Sequence, residues 1–314
     1  MASQAIAAKS IKVGLLKQSE LAEADRIVRL AFGKFLHLPN PLEFMGDRAF
    51  LVPRFRSPHS KLIAARDKGR LIGSNAVTHW GSFGTFGPLT VLPEYWDGGV
   101  GQRLLEATVK IFDRWGVRHS GLFTFANSPK HVGLYQKFGY WPCYLTAILT
   151  RAPEAKTGAP ALLSVLAKSQ REEAIEACRR LTGKIEKGLD LGDEIRAVLK
   201  QRTGETVLTY RGKTLDGFAV CMNGRGSEGG EKLCYVKFGA ARDGAAFDRL
   251  LEACEAFALS RGATVEAGVN LAREDAFRRM RARGYRTAIQ GVAMQRPHTS
   301  GFNRPDIYVI DDWR

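Results

Sequence analysis

The feature that most constrains the fold is a repeat of domain size. Asp97-Gly98 and Arg103-Leu104-Leu105-Glu106-Ala107 recur as Asp243-Gly244 and Arg249-Leu250-Leu251-Glu252-Ala253, an offset of 146 residues. Phe138-Gly139-Tyr140 meets Arg283-Gly284-Tyr285 at an offset of 145, and Asn127 meets Asn270 nearby. The apolar stripe Leu104, Leu105, Thr108, Ile111, Phe112 becomes Leu250, Leu251, Cys254, Phe257, Ala258, which is helical spacing in both copies. A period of this length marks a duplicated domain and not a solenoid. With 314 residues, each copy has enough chain to bury its own core.

The stretch from Phe86 to Thr108 carries the most chemistry. Leu89, Val91 and Leu92 read as a strand, and Pro93 ends its ladder because proline has no N–H. Gly98, Gly99 and Gly101 then lead into the helix. A glycine turn at a helix N-terminus leaves backbone N–H groups that phosphate oxygens can satisfy, and the helix dipole adds ~0.3–1 kcal/mol per favourable charge. Neither GxGxxG nor Gly-Lys-Ser/Thr is present here. The turn by itself is also compatible with ordinary chain reversal.

The surrounding elements follow from local patterns. Ile11 to Leu16 reads as a strand, and Ser19 to Phe32 as a helix with Leu21, Ala24, Ile27, Val28 and Ala31 on one face. Phe35 to Phe55 is a connector rich in proline and aromatics, long enough to line a cleft. A hairpin spans Leu62 to Thr78 across Asp67-Lys68-Gly69. Ser120 to Ala126 is a short strand, Ser128-Pro129 opens a helix with Ser128 as N-cap, Gly139 closes it, and Tyr140 to Thr150 runs extended. Residues 152–160 have linker composition.

Composition bounds the partners. Net charge is +15, from 47 basic and 32 acidic residues, which favours anionic partners. The basic residues are scattered, however, and the densest group, Arg278 to Arg286, has no interleaved aromatics, so nucleic acid is not the expected partner. Five cysteines without a CxxC pair point away from a disulfide framework and from a metal site, and toward a reducing cytoplasm. The N-terminus has no convincing signal-peptide cleavage site, and apolar runs are too broken to span a membrane.

The order strand, glycine turn, helix, strand ending in Asn, and helix with a tyrosine before Gly-Tyr resembles the GNAT N-acetyltransferase superfamily. Its phosphate-loop pattern, Gln/Arg-x-x-Gly-x-Gly/Ala, falls on Trp96-Asp97-Gly98-Gly99-Val100-Gly101, with Trp96 in place of the leading Gln/Arg. Val91 to Tyr95 is similar to the family's Val-x-Pro-Glu-Tyr approach, and Asn127, Tyr135 and Phe138-Gly139-Tyr140 sit where the family has Asn, Leu-Tyr and Gly-Phe/Tyr. The resemblance covers about 11–150 well and 160–314 faintly. It implies an α/β (mixed α+β) fold of two GNAT-like domains, each a central mixed sheet flanked by helices: 1–151 catalytic, 152–160 a linker, 161–314 degenerate.

The same resemblance implies acetyl-CoA as co-substrate, no metal, and a small-molecule or peptide amine as acceptor, in a cytoplasmic monomer or homodimer. Leu89 and Val91 would offer backbone groups to the pantetheine arm, the loop Gly98, Gly99, Val100, Gly101, Gln102, Arg103 would hold the pyrophosphate, and Asn127 and Tyr135 would also touch the cofactor. Tyr135 is the candidate general acid, since a phenol near pKa ~10 stays protonated at pH 7 and can donate to a thiolate whose acid lies near ~8.5. For the general base, Glu94 after the central strand ranks first and His79 second; His131, one turn before Tyr135, is also considered. Cys143 as a nucleophile has no adjacent base.

The second copy has lost these parts. Gly99 and Gly101 become Ala245 and Phe247, and Tyr135 becomes Met280, so this copy is expected to support the first or close its cleft. The alternatives are transfer of a different acyl group and a non-catalytic acetyl-CoA-sensing or partner-binding module.

Overall fold

The computed structural model describes residues 10–154 and 159–314. The first half runs β1 (Ile11–Leu15), α1 (Leu21–Phe35), α2 (Leu51–Phe55), β2 (Ser60–Asp67), β3 (Arg70–Trp80), β4 (Phe83–Phe86), β5 (Thr90–Val91), α3 (Val100–Trp115), β6 (His119–Thr124), α4 (Pro129–Gln136) and β7 (Trp141–Arg151). The second half runs β8 (Ala161–Leu162), α5 (Lys168–Ile185), α6 (Gly192–Gln201), β9 (Gly204–Arg211), β10 (Thr214–Gly224), β11 (Gly230–Ala241), α7 (Gly244–Ser260), β12 (Thr264–Asn270), α8 (Glu274–Ala282), β13 (Arg286–Arg296) and β14 (Tyr308–Ile310). The two orders match except that β5 has no counterpart between β11 and α7 and β14 follows β13 only in the second half, and β7 and β13 are offset by the same 145 residues that relate their flanking Gly-Tyr pairs.

The two expected sheets are in fact one. A single mixed sheet runs β1-β2-β3-β4-β6-β13-β7-β12-β11-β10-β9-β8 through both halves. The last strand of each half has crossed over: β13 pairs with β6 through Val292↔Thr124 to Arg296↔Ser120, and β7 pairs with β12 through Val265↔Arg151 to Asn270↔Thr146. At the centre β7 and β13 pair with each other, antiparallel. An unpaired edge at β6 or β12 would leave a row of unsatisfied N–H and C=O groups, and the exchange covers both.

The core follows this fusion. One cluster packs α1 and α3 against β1 to β6, and another packs α7 and α8 against β9 to β12. A third is shared, with Trp80 and Phe83 of the first half packed among Phe238, Phe302 and Trp313 of the second.

Local expectations hold with small shifts. α1 starts at Leu21 behind a 3-10 turn at Gln18–Glu20 and continues to Phe35. Gly116 and Gly139 take positive φ (65° and 81°), the left-handed conformation that glycine adopts without a Cβ penalty. Pro129 is the first residue of α4, but the Ser128 side chain makes no cap bond, because its hydroxyl is bonded to His131 Nδ1 at 2.9 Å. The linker reading at 152–160 falls partly outside the described residues. The arginine group at 278–286 is largely neutralised in place: Arg278 pairs with Glu274, Arg279 with Asp275 and Asp248, and Arg283 with Glu255.

Candidate active site

The site begins where the sheet opens. β4 runs parallel to β6 from Phe83 to Thr85, while β5 pairs only with β3, through Gly73↔Val91 and Ser74↔Thr90. The chain between them, Gly87 to Leu89, therefore leaves β6 and lines a gap. α3 starts beyond β5, and α4 follows β6.

A groove of about 670 Å³ runs between these elements, lined by Leu89, Thr90 and Val91, by Trp96, Asp97 and Gly99 to Gln102 of the turn, and by Ser128 and most of α4 to Tyr135. Gly99, at φ 75°, precedes α3 without any side-chain cap. The first bond into the helix is from Arg103 N–H to the Gly99 carbonyl at 3.2 Å, so the amides of Val100, Gly101 and Gln102 lie ahead of the ladder. A Cβ built on Gly99 meets no atom within 4 Å, so no packing constraint requires glycine there. Three amides unpaired among the described residues at a helix N-terminus, open space beside Gly99, and Lys137 and Lys130 in the lining, the latter paired with Asp97 at 2.7 Å, suit a polyanion such as a pyrophosphate.

The second half provides the contrast. At the start of α7 the Asp243 side chain accepts the Ala246 N–H at 2.9 Å, and Phe247 is fully buried where Gly101 stands in the first half. Met280, the counterpart of Tyr135, is buried in the core. Asn270 is spent internally, donating to the Cys143 carbonyl at 3.0 Å and accepting from Ala272 N–H at 3.0 Å.

A second cavity of about 410 Å³ adjoins the groove, and Phe32, Leu89, His131 and Tyr135 line both. Its walls are mostly apolar: Phe44 and Met45 from the connector, Phe86 to Leu89, Leu122 to Phe125 at the end of β6, Ile148 of β7, and Ala288 and Ile289 of β13, with Trp313 and the charged Arg314 also in the lining. The exchanged strand thus gives the second half a place in the first half's site. The second half also pins the connector, through Arg48 to Glu266 at 2.8 Å and Ala49 N–H to the Ser227 carbonyl at 2.9 Å.

At the junction Tyr135 is buried, its ring edge-on to Phe86 at 5.8 Å, and its hydroxyl has no hydrogen-bond partner among the described residues. Burial pushes its pKa well above the ordinary phenol value, so it holds its proton. His131 lies one turn away on the same face. Its Nδ1 is tied to Ser128, its ring lies 5.0 Å from Phe35, and burial together with the Lys130 charge lowers its pKa. It is neutral at pH 7, with Nε2 unengaged among the described residues.

The other expected residues divide. Leu89, Val91, Gly99, Val100, Gly101, Gln102 and Tyr135 all line the groove. The Val91 carbonyl already accepts the Trp96 indole N–H at 2.8 Å. Gly98 is held in the turn by its own N–H to the Tyr95 carbonyl at 3.3 Å and does not line the groove. Arg103 points the opposite way, to the Ile11 carbonyl at 3.0 Å, into a separate depression on the outer side of α3. Asn127 is exposed and outside the groove; Ser128, one residue on, takes its place in the lining.

Both ranked bases lie elsewhere. Glu94 is exposed in an ion pair with Arg70 at 3.0 Å, because the 3-10 turn at Pro93–Tyr95 aims it outward. His79 lies against Trp115, ring centres 5.2 Å apart and planes tilted by 38°, at the far end of β3 and lines neither space. Cys143 is buried, and burial raises its thiol pKa, which removes it as a nucleophile. His131 was legible only as a neighbour of Tyr135 at i+4 spacing, since the apolar lining that sets its role comes from distant strands. Among the described residues there is no cluster of metal ligands, and no helix is long and apolar enough to cross a membrane.

Residues 28–140 match the model of the Acetyltransferase (GNAT) family. No curated protein matches the chain. Among solved structures, one from Pyrococcus horikoshii described as an acetyltransferase aligns over 97% of this chain and 95% of its own, at 15% identity and a TM-score of 0.71. A GCN5-related N-acetyltransferase from Sphaerobacter thermophilus aligns over 92% and 96%, at 15% identity and a TM-score of 0.58. A tandem GNAT protein from the clavulanic acid biosynthesis pathway aligns over 91% and 98%, at 11% identity and a TM-score of 0.54. At these identities the three likenesses speak to the fold, which they share along nearly the whole chain. The stretch 28–140 is thus a domain of the acetyltransferase (GNAT) type, set within a chain whose fold is that of the solved structures above.

Proposed function

We propose that the first half, residues 1–151, moves an acetyl group from acetyl-CoA to a primary amine by direct attack in a ternary complex, and that the second half, 161–314, is non-catalytic. One observation carries this reading: the groove with free helix-terminal amides and the apolar cavity meet at Tyr135 and His131. When bound, acetyl-CoA supplies the acetyl group as a thioester. The amides of Val100, Gly101 and Gln102 and the Lys130 side chain are the groups suited to its phosphates, and Leu89 lies where the groove opens toward the cavity.

Alignment of two reactants at such a junction contributes on the order of 7–11 kcal/mol of barrier reduction. As the amine nitrogen bonds to the acetyl carbon, His131 takes the proton that the nitrogen sheds, its neutral Nε2 being free to accept. As the carbon–sulfur bond breaks, Tyr135 gives its proton to the sulfur. Return of a proton from His131 to the Tyr135 phenolate through solvent restores both groups. Ser128 orients the imidazole through Nδ1.

The test is acetyl-CoA-dependent release of free thiol in a screen of amines, with a thermal shift on acetyl-CoA alone. Absence of both the shift and thiol release overturns the reading. A shift without turnover by any amine favours the sensor alternative.

A further inference from the structure

Building on the acetyl-transfer reading above, we propose that the acceptor is a monoamine whose body is apolar and ring-bearing, held in the 410 Å³ cavity beyond Tyr135. Three observations point this way, and the first is the character of the walls. Phe32 and Phe44 stack at 5.1 Å with their planes 12° apart, forming one side, and Phe86, Phe123, Phe125 and Ile289 form much of the rest. Apolar walls take apolar guests: in a closed cavity about 150 Å³ accommodates benzene. A space of 410 Å³ has room for a ring system with a short arm.

The second observation is charge. Among the described residues no Asp or Glu side chain lines the cavity, and the charged side chain that does, Arg314, is a cation. The carboxylates nearby are already engaged: Glu266 with Arg48 and Arg314 at 2.8 and 2.9 Å, Asp312 with Arg314 at 2.9 Å, and Glu228 with Arg54 at 2.6 Å. A second ammonium on the acceptor, as in a diamine or polyamine, would enter without a counter-ion, which burial penalises heavily. The same lack of a carboxylate favours the neutral form of the reacting amine, the form that attacks.

The third observation is position. With the cofactor in the groove, His131 faces both spaces, so an amine that meets it has its body in the cavity. An acyl chain much longer than acetyl would fill that same volume and displace the acceptor.

The experiment compares 2-phenylethylamine, tryptamine, n-butylamine, 1,5-diaminopentane, spermidine and a lysine-bearing peptide on the full chain. Two readouts are used: calorimetric binding of each amine, and kcat/KM with saturating acetyl-CoA. The proposal expects the two aryl amines to bind at least 30-fold tighter than the diamine and spermidine. It also expects Ile289→Trp, which fills the cavity, to weaken 2-phenylethylamine binding at least 10-fold while leaving the thermal shift on acetyl-CoA unchanged. Equal or tighter binding of spermidine or the peptide overturns it, as does octanoyl-CoA turning over faster than acetyl-CoA with n-butylamine. If no amine is acetylated but the aryl amines still bind selectively and Ile289→Trp abolishes that binding, the acetyl-transfer reading fails and the cavity assignment stands.

Discussion

Asp97 and Asp243 occupy the same place in the repeat and do opposite things. Asp243 turns inward and caps α7, accepting the Ala246 N–H at 2.9 Å, whereas Asp97 (φ 64°) turns outward and pairs with Lys130 at 2.7 Å. One carboxylate satisfies its helix's own amides; the other leaves them open. The difference separates a capped helix start from one whose amides stay open, and the expectations below draw on it.

Gly101→Ala tests the cradle. The added Cβ meets Leu134 Cδ2 at 3.4 Å and Leu89 Cδ2 at 3.7 Å, ordinary contacts that the fold tolerates. On the proposed reading it would also stand between the helix amides and a phosphate. Loss of one charge-assisted hydrogen bond is worth about 1.5–3 kcal/mol, so acetyl-CoA affinity should fall roughly 10–100-fold with little change in Tm. Calorimetric titration with acetyl-CoA checks this, and undiminished affinity would place the phosphates elsewhere.

Tyr135→Phe removes only a hydroxyl that has no protein partner, so stability should hold. Turnover should drop by about 10²–10⁴, the usual contribution of a positioned acid, while acetyl-CoA binding stays within a factor of about two. Equal kcat in the variant would end the acid assignment.

His131 sets the pH dependence. Its pKa is held below the usual imidazole value, and the working form of a base is the deprotonated one. Activity should therefore be flat through pH 7 and fall as pH drops through that lowered pKa. In His131→Gln this acidic limb should disappear and kcat/KM at pH 7 should fall about 10²-fold or more. A pH–rate profile over pH 5–8 reads both effects; an unchanged limb would assign it to another group.

Glu228 is fully buried and bridges Arg54 at 2.6 Å and Lys237 at 2.9 Å. Glu228→Gln leaves two buried cations short of a partner and should cost about 3–5 kcal/mol in denaturant unfolding. The pairing to Arg54 and Lys237 outweighs burial and lowers the Glu228 pKa. Its stabilising contribution is thus fully present above the unfolded carboxylate value near ~4.3 and is lost as pH falls through the lower folded value. Acid unfolding of the variant should lack that component.

Residues 10–154 expressed alone would lack β13, leaving β6 and β7 without their shared neighbour. Such a fragment should dimerise by exchanging β7 or precipitate, and size-exclusion chromatography distinguishes both from a stable monomer.

The sequence by itself determined the duplication and the element order and singled out the glycine turn and Tyr135, because each rests on local periodicity, turn chemistry or identity at a fixed offset. Leu104 and Leu250 could be matched without knowing what they pack against. The strand exchange could not be read in this way. β7 and β13 are equivalent by offset, and either could close β6 or β12; only the pairing energy of the assembled sheet decides between them. The same limit explains the base. Glu94 and His79 sit near strand ends that looked suitable along the chain, but the 3-10 turn aims Glu94 into water and His79 lies against Trp115. His131 became the candidate because Phe32, Leu89 and Tyr135, far apart in sequence, line with it both spaces that meet there. Direction and enclosure are tertiary properties, set by packing between residues more than a hundred positions apart.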